Sequence, residues 1–346
     1  MLSALHHACL RDLLGDRLLL EELDPLPPHG FRATGERLLG YIDGVTPRVA
    51  ADIVERARRE GVTHVYLDGS NLGRLARAVR KSLPGVQVIS FFHNVEARFF
   101  LGAFRETGRP RALGVLVANY LAERMAARHS HRVVTLSERD SRGLQRLYGR
   151  GGTDLLPMAM ADRLDLAAAA AAGAGSDSYL LFVGGAFYAN EAGIRWFVDN
   201  VAADAGLKTC VVGRGLESLR PQLERPGKVE VVGGVECLQD WYLNASAVIA
   251  PIFDGSGMKT KVAEALMYGK RIVGTPEAFS GYEEVAGAAG WVCRTKEDFA
   301  AALRQVQDAP PPRFDPALRA LYERLYSHEA ARRRLAEILA IPGPQG

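Results

Sequence analysis

Cysteine is scarce in this chain of 346 residues: there are four, at positions 9, 210, 237 and 293. None stands in a Cys-x-x-Cys pair, and no histidine lies at metal-ligand spacing from them. That excludes a zinc ribbon and a disulfide framework. Cys210 and Cys293 fall in strand-like runs and read as buried free thiols, which points to a reducing cytoplasm. Long apolar runs are missing as well. Stretches such as residues 112–118 fall far short of the roughly 20 residues that span a bilayer. Residues 1–20 carry histidines and charges throughout, unlike a secretory leader. Asp-x-Asp does not occur, and neither a Walker P-loop nor a serine nucleophile elbow is present. Lysine is absent from residues 98–150, where 11 Arg face 4 acidic residues for a net charge of +7. No recognition motif accompanies that basic stretch, so a nucleic-acid partner is not expected.

The length exceeds one ordinary core and fits two domains of about 150 residues each. With 48% apolar and 24% charged residues the chain is globular rather than disordered. Strand patterns alternate with helical ones throughout, which predicts βαβ units around mostly parallel sheets. In the first half, strands are expected at residues 17–21, 63–67, 86–93 and 132–136, with helices at 2–14, 49–59, 72–82, 113–128 and 138–148. In the second, strands are expected at 179–184, 208–213, 229–232, 247–252, 271–274 and 290–293, with helices at 191–201, 215–223, 238–244, 258–268 and 296–307. The alanine-rich, low-complexity stretch between the halves reads as a linker over residues 158–178. The division is therefore a first domain at 1–157, a second at 179–315, and a helical terminal block at 316–346. That block offers Leu318, Leu321, Leu325, Leu335, Ile338 and Leu339 for packing.

The most informative segment is residues 251–276, PIFDGSGMKTKVAEALMYGKRIVGTP. A β-branched run ends in a Gly-rich loop that opens directly into a helix, with Lys259, Lys261 and Glu264 near its start. Two lysines in a first turn oppose the helix macrodipole, at a cost of roughly 0.3–1 kcal/mol each at exposed sites. An anion at that spot removes the conflict. Helix N-termini are ready phosphate sites, and glycines admit close backbone approach. The segment reads as a diphosphate cradle.

On Pro251, Gly255, Ser256, Gly257, Lys259, Lys261, Glu264, Ala265, Gly269, Val273 and Thr275, the segment resembles the donor site of family-4-type retaining glycosyltransferases. The resemblance implies the α/β GT-B fold: two Rossmann-like domains facing across a cleft, with a C-terminal helix crossing back to the first. It implies a nucleotide-diphosphate sugar as co-substrate, no resident cofactor and no metal. Transfer would go to a saccharide or lipid-linked acceptor with retention at the anomeric carbon. Lys259 and Lys261 would hold the diphosphate and Glu264 the donor ribose; the bland alternative for Glu264 is a surface pair with Lys261. Relatives often carry a Glu eight residues before this one, where the present chain has Ser256, and Asp254 stands nearby as a substitute. They also open with a strand and a Gly-rich loop. Here residues 2–14 look like the helix after that loop, so the first strand is either absent or upstream.

Other candidates follow from position. His93 closes a strand, where α/β sheets bind ligands, and is expected to contact the transferred sugar or the acceptor hydroxyl, with Asn94 and Glu96 in support. A hydrogen-bonded strand cap is the alternative. Gly184, Gly185 and Asn190 follow the first strand of the second half. Their loop lacks the usual basic residue, for which Arg214 is the substitute. Gly233 and Gly234 are expected at the nucleobase edge, and Gly281 and Tyr282 near the sugar and phosphate. The basic face of residues 98–150 suits peripheral contact with an anionic membrane, which would put the protein in the cytoplasm or at the membrane's inner face. Two alternatives share the fold: a non-catalytic nucleotide-binding scaffold, and a nucleotide-sugar epimerase.

Overall fold

The computed structural model describes residues 2–24, 31–171, 178–255 and 257–340. The chain divides into two compact units, residues 3–157 with the residues from 332 onward, and residues 158–331.

In the first unit, α1 (Leu2–Leu14), α2 (Phe31–Leu38) and α3 (Pro47–Arg59) precede the sheet. Strands β1 (His64–Asp68), β2 (Gln87–Phe92), β3 (Arg132–Thr135) and β4 (Asp154–Leu155) then lie in chain order, every pair parallel. The helices between them are α4 (Gly73–Ser82), α5 (Glu96–Thr107), α6 (Pro110–His129) and α7 (Glu138–Tyr148). β2 is buried at every position after Gln87, as a strand covered on both faces must be. Local signals set the helix ends. The Thr46 side chain accepts from Val49 N at 3.1 Å with Pro47 as the first helical residue of α3. Glu123, fully buried in α6, accepts the Glu96 and Ala97 N–H groups at 2.9 Å each and so caps α5. Burial raises its pKa above the usual carboxylate range.

Two expectations fail in this unit. Residues 17–21 are not a strand: a 3₁₀ turn, Gly15–Arg17, opens them and the rest has no regular structure. Leu19 and Leu20 are exposed there, 47% and 46%, so no sheet covers the run. Conversely, α2 and α5 are helices where the sequence predicts none.

In the second unit, α8 (Leu166–Ala171) is followed by strands β5 (Tyr179–Val183), β6 (Lys208–Val212), β7 (Val229–Gly233), β8 (Ala245–Ala250), β9 (Ile272–Gly274) and β10 (Gly290–Val292). They form one parallel sheet in the order β10-β9-β8-β5-β6-β7. The strand order therefore reverses between β5 and β8. Helices α9 (Tyr188–Asn200), α10 (Arg220–Leu223), α11 (Gln239–Asn244), α12 (Thr260–Met267) and α13 (Ala286–Ala289) connect the strands, and α14 (Lys296–Asp308) follows the last of them. Phe182, Phe197, Val211, Ile249 and Phe299 are among its fully buried core side chains. The architecture is the α/β class of parallel sheets that the alternating pattern predicts.

The terminal block is two helices, α15 (Pro316–Leu325) and α16 (His328–Ile338), separated at Tyr326 and Ser327. Part of the stretch expected as a linker is instead pinned. Met160 O accepts the buried Tyr322 hydroxyl at 2.9 Å, and Arg319 holds Asp162 while donating to Met267 O at 3.1 Å. Its alanines are helical through Ala171, as the best helix former favours. None of the four cysteines is in a disulfide: Cys9, Cys210 and Cys293 are buried and Cys237 is exposed. Burial pushes Cys210 up to about 11 and Cys293 to about 12. Among the described residues no helix is long and apolar enough to cross a membrane.

Close backbone approach fixes α9 against the end of β8: a Cβ on Gly193 would stand 1.9 Å from Pro251 O. Gly193→Ala should therefore cost about 1–3 kcal/mol, the usual penalty for overpacking. Gly102→Ala in α5 meets nothing within 4 Å and should gain about 0.4–1 kcal/mol. Thermal melts of the two variants check both signs.

Candidate functional site

Open α/β sheets bind ligands outside the carboxyl ends of their strands, at the point where strand order reverses. In the second unit that point lies between β5 and β8, and the loops there carry most of the expected residues. Gly184 and Gly185 follow β5, and Pro251 through Lys259 follow β8. The neighbouring strand ends bring Arg214 after β6, Gly233 and Gly234 at β7, and Gly281 and Tyr282 beyond β9.

Lys261, Asn190 and Gly184 meet. Lys261 is 6% exposed, donates to Asn190 Oδ1 at 2.9 Å and lies 5.1 Å over the Phe182 ring. A Cβ on Gly184 would stand 2.6 Å from its Nζ, so a side chain there would displace the ammonium. The Asn190 amide is fixed in turn by donating to Gly185 O at 2.9 Å. Burial pushes the Lys261 pKa down to about 8; Glu264 pulls it up and Lys259 pushes it further down.

Lys259 is the residue before the first turn of α12, with a side chain 12% exposed. It donates to Gly257 O and to Glu277 Oε1, both at 2.9 Å. The expected conflict between two exposed lysines and the helix dipole is thus corrected: both lysines are largely buried, and each holds a partner. The N-cap residue Lys259 makes no side-chain cap on α12; Val262 N donates to Lys259 O at 3.2 Å, which leaves the Thr260 and Lys261 N–H groups for solvent or a ligand. Gly257, at φ +66°, supplies the left-handed turn before Lys259. Gly255 lies close, its Cβ position 3.3 Å from Lys259 Cε. Ser256 lies outside the described residues.

Glu264 accepts the buried Tyr242 hydroxyl at 3.1 Å, while the Lys261 ammonium goes to Asn190, so the surface pair offered as its bland alternative does not form. Tyr242 stacks on Tyr268 with centroids 4.5 Å apart. Tyr282 requires a correction. It is fully buried, and its hydroxyl donates to Lys259 O at 2.9 Å. It therefore positions the start of α12 and has no surface to offer a ligand. Gly281 donates its N–H to Glu283 Oε1 at 3.0 Å. Arg214 is exposed, and its carbonyl accepts from Ala186 N at 2.9 Å. The Gly234 N–H donates to Glu217 Oε1 at 2.6 Å, and that bond holds the exposed Glu217 carboxyl below its ordinary range.

Among the residues that sequence reasoning passes over, Lys270 is 1% exposed and donates to Leu243 O at 2.9 Å and Ala245 O at 2.8 Å. It ties the turn between α11 and β8, and burial, with Arg313 nearby, pushes its pKa down to about 7. Its signal was available, since a lysine entering a wholly apolar strand must find carbonyl acceptors.

In the first unit, His93 follows β2 and donates from Nε2 to Asp68 Oδ1 at 2.8 Å, at the end of β1. Burial raises the Asp68 pKa, but the bond and charge of His93 outweigh it and leave the carboxyl below its usual value. Phe91 lies edge-on to both His93 and the buried His6 of α1, each at 4.7 Å. Burial pushes the His6 pKa down to about 4. Glu96 is raised, by burial first and then by Glu123 and Asp43. Asp68 was legible only by its place at the carboxyl end of the neighbouring strand. Among the described residues no three His, Cys, Asp or Glu side chains are grouped as metal ligands would be.

Loss of the Tyr282 hydroxyl removes one of two donors to the Lys259 carbonyl, which also accepts from Val262 N at 3.2 Å. Tyr282→Phe should lower stability by about 0.5–1.5 kcal/mol, read by denaturant unfolding, without altering the surface of the loop.

Residues 177–308 match the family described as Glycosyl transferases group 1. No curated protein matches the chain by sequence. Among solved structures, Anabaena HepE in complex with UDP is similar at TM-score 0.61 and 13% identity, over 85% of this chain and 82% of that one. The same protein in complex with UDP-glucose is similar at TM-score 0.58 and 12% identity, over 96% and 88%. The lipopolysaccharide outer core galactosyltransferase WaaB, in its apo form, is similar at TM-score 0.57 and 12% identity, over 90% and 81%. Residues 177–308 are thus similar to glycosyl transferases group 1, and the chain has the α/β fold of parallel sheets that these GT-B neighbours share.

Proposed function

We propose that this chain transfers a sugar from a nucleotide-diphosphate donor to a saccharide or glycolipid acceptor, with retention at the anomeric carbon and without a metal. One observation carries the donor reading: two largely buried lysines and an uncapped helix start converge at the switch point of the second sheet. Lys259, Lys261 and the opening N–H groups of α12 would stabilise the negative charge that grows on the departing diphosphate. Glu264, steadied by Tyr242, would accept from the ribose hydroxyls, and the loops at Gly185, Arg214, Gly234 and Gly281 would border the donor. His93, held by Asp68, is assigned to the acceptor side. Retention rests on the family resemblance of residues 251–276.

In the protein without ligand, Lys259 is neutralised by Glu277, so a diphosphate must compete for that ammonium. Titration with UDP, GDP, ADP and TDP should show one of them binding. Lys259→Ala should weaken it by about 1.5–3 kcal/mol, roughly 10- to 100-fold, as for a lost hydrogen bond to charge. No binding by any of the four overturns the reading.

Burial pushes the Lys261 pKa down to about 8, and a bound diphosphate favours its charged form. Affinity should therefore hold below about pH 8 and fall as the pH rises through it, by up to about tenfold per unit. Lys261→Met should bind more weakly with a flat profile over the same range.

We further propose peripheral contact with an anionic membrane, at its cytoplasmic face. Support comes from a groove of about 460 Å³ among α5, α6 and α7, lined by Leu101, Leu116, Val117 and Leu147 with Arg98 and Arg146. Near-surface charges of this kind are worth about 1 kcal/mol each on an anionic leaflet. The protein should sediment with phosphatidylglycerol vesicles and not with phosphatidylcholine ones, and Arg98→Glu/Arg146→Glu should reduce the bound fraction.

A further inference from the structure

In the first unit, α4 and α6 run side by side with almost nothing between them. A Cβ on Gly73 would stand 1.9 Å from Ala122 O and 2.5 Å from Ala126 N, and Ala76, Ala122 and Ala126 are buried. The stripe of α4 that begins at Gly73 continues at helical spacing through Arg77 to Lys81, and the facing stripe of α6 continues from Ala122 and Ala126 to His129. Close packing at the start of this seam therefore brings the last turns of both helices together. Those turns are basic: α4 supplies Arg77, Arg80 and Lys81, and α6 supplies Arg128 and His129. The grouping is felt at His129, whose pKa is lowered by burial first and then by the charges of Arg77, Lys81, Arg128 and Arg80. Just beyond α6, Arg150 is held in place, donating to Ala127 O and Ser130 O at 2.7 Å each and to His131 O at 3.0 Å. Burial, and then the Arg80 charge, push its pKa and that of His131 down as well.

No carboxylate answers these charges. α4 has no acidic residue, and the one in α6 is Glu123, enclosed and committed to the start of α5. Among the described residues Arg77, Arg80, Lys81 and Arg128 have no ion-pair partner. The two helix C-termini carry about half a negative charge each, which together offset one cation. The remaining like charges repel, and an anion of high charge relieves them. α4 ends just before β2 and α6 just before β3, so the cluster lies at the amino end of the first sheet, opposite the end where His93 meets Asp68. No large apolar side chain is exposed on α4, or on α6 beyond Val117. A nucleobase or sugar face finds nothing there to stack on, and a lipid leaflet finds no anchor. What the seam offers is guanidinium forks and an ammonium, which match phosphate oxygens. A single phosphate would neutralise only part of it. We propose that the seam between α4 and α6 binds a soluble anion carrying several phosphates, at a site outside the diphosphate cradle and independent of the transferase reading.

The test uses the full chain and the double variant Arg80→Gln/Arg128→Gln. Both positions are exposed and glutamine suits a helix, so folding is expected to survive, and a thermal melt checks it. Calorimetric titration with phosphate, pyrophosphate and tripolyphosphate is run at one ionic strength set with sodium chloride, because salt screens surface charge. Wild type should bind tripolyphosphate tenfold or more tightly than phosphate. The double variant should lose tenfold or more of that affinity and bind UDP as wild type does. Tripolyphosphate can also reach the cradle, so the titration is repeated on Lys259→Ala, which should retain the seam's affinity. Phosphatidylglycerol vesicles present the same phosphate chemistry on a lipid, and the double variant should sediment with them as wild type does. Absence of tripolyphosphate binding overturns the site, and so does a loss that follows Lys259→Ala and not the arginine pair. Vesicle sedimentation lost in the double variant would place the seam on a leaflet and overturn the soluble assignment.

Discussion

Burying an ammonium group is among the more costly arrangements in a folded protein, and the second unit is organised around one. Lys261 is enclosed by the end of β5, the first turn of α9 and the start of α12. Gly184 gives it room, Asn190 gives it an acceptor, and the face of Phe182 lies beneath it. Its proton is held weakly enough to leave at mildly alkaline pH. A charge kept in so little solvent acts strongly on any anion that reaches it, because water does not screen the pair.

The frame around this charge is held by backbone contacts more than by side-chain pairs. Gly193 lets α9 press on Pro251, and Gly213 lets the end of β6 lie against Gly184, where a Cβ would stand 1.7 Å from the Gly184 carbonyl. From the other side, Tyr282 fastens the Lys259 carbonyl and Lys270 ties the entry to β8. The loop bearing the two lysines therefore has both ends fixed, while Glu277 occupies the Lys259 ammonium from within the fold. Rigid supports with an exchangeable counter-ion suit a site that receives a charged ligand and then releases it.

Much of this was legible from residues alone. Apolar strands alternating with amphipathic helices predict two parallel α/β sheets, because only covered sheets read as near-continuous hydrophobic runs. The run of glycines and lysines in residues 251–276 predicts a strand, a loop and a helix, and the structure has them. Burial was less legible. Lys259 and Lys261 look like surface residues of a first turn, and only the packing of α9 shows them enclosed. Tyr282 sits among loop residues and reads as a ligand contact, but tertiary packing turns it inward. Residues 17–21 carry leucines but no sheet edge to pair with, so propensity had nothing to reinforce it. Asp68 and His93 lie 25 positions apart in sequence and meet only because β1 and β2 are neighbours in register.

The distribution of thiols has a practical side. Cys9, Cys210 and Cys293 are enclosed, and Cys237 alone reaches solvent, three positions beyond Gly234 on the loop that follows β7. A maleimide dye added to the unaltered protein should therefore label one place, on the loop after β7. An environment-sensitive fluorophore on that sulfur would turn the chain into its own sensor of occupancy, with no engineered cysteine and none removed.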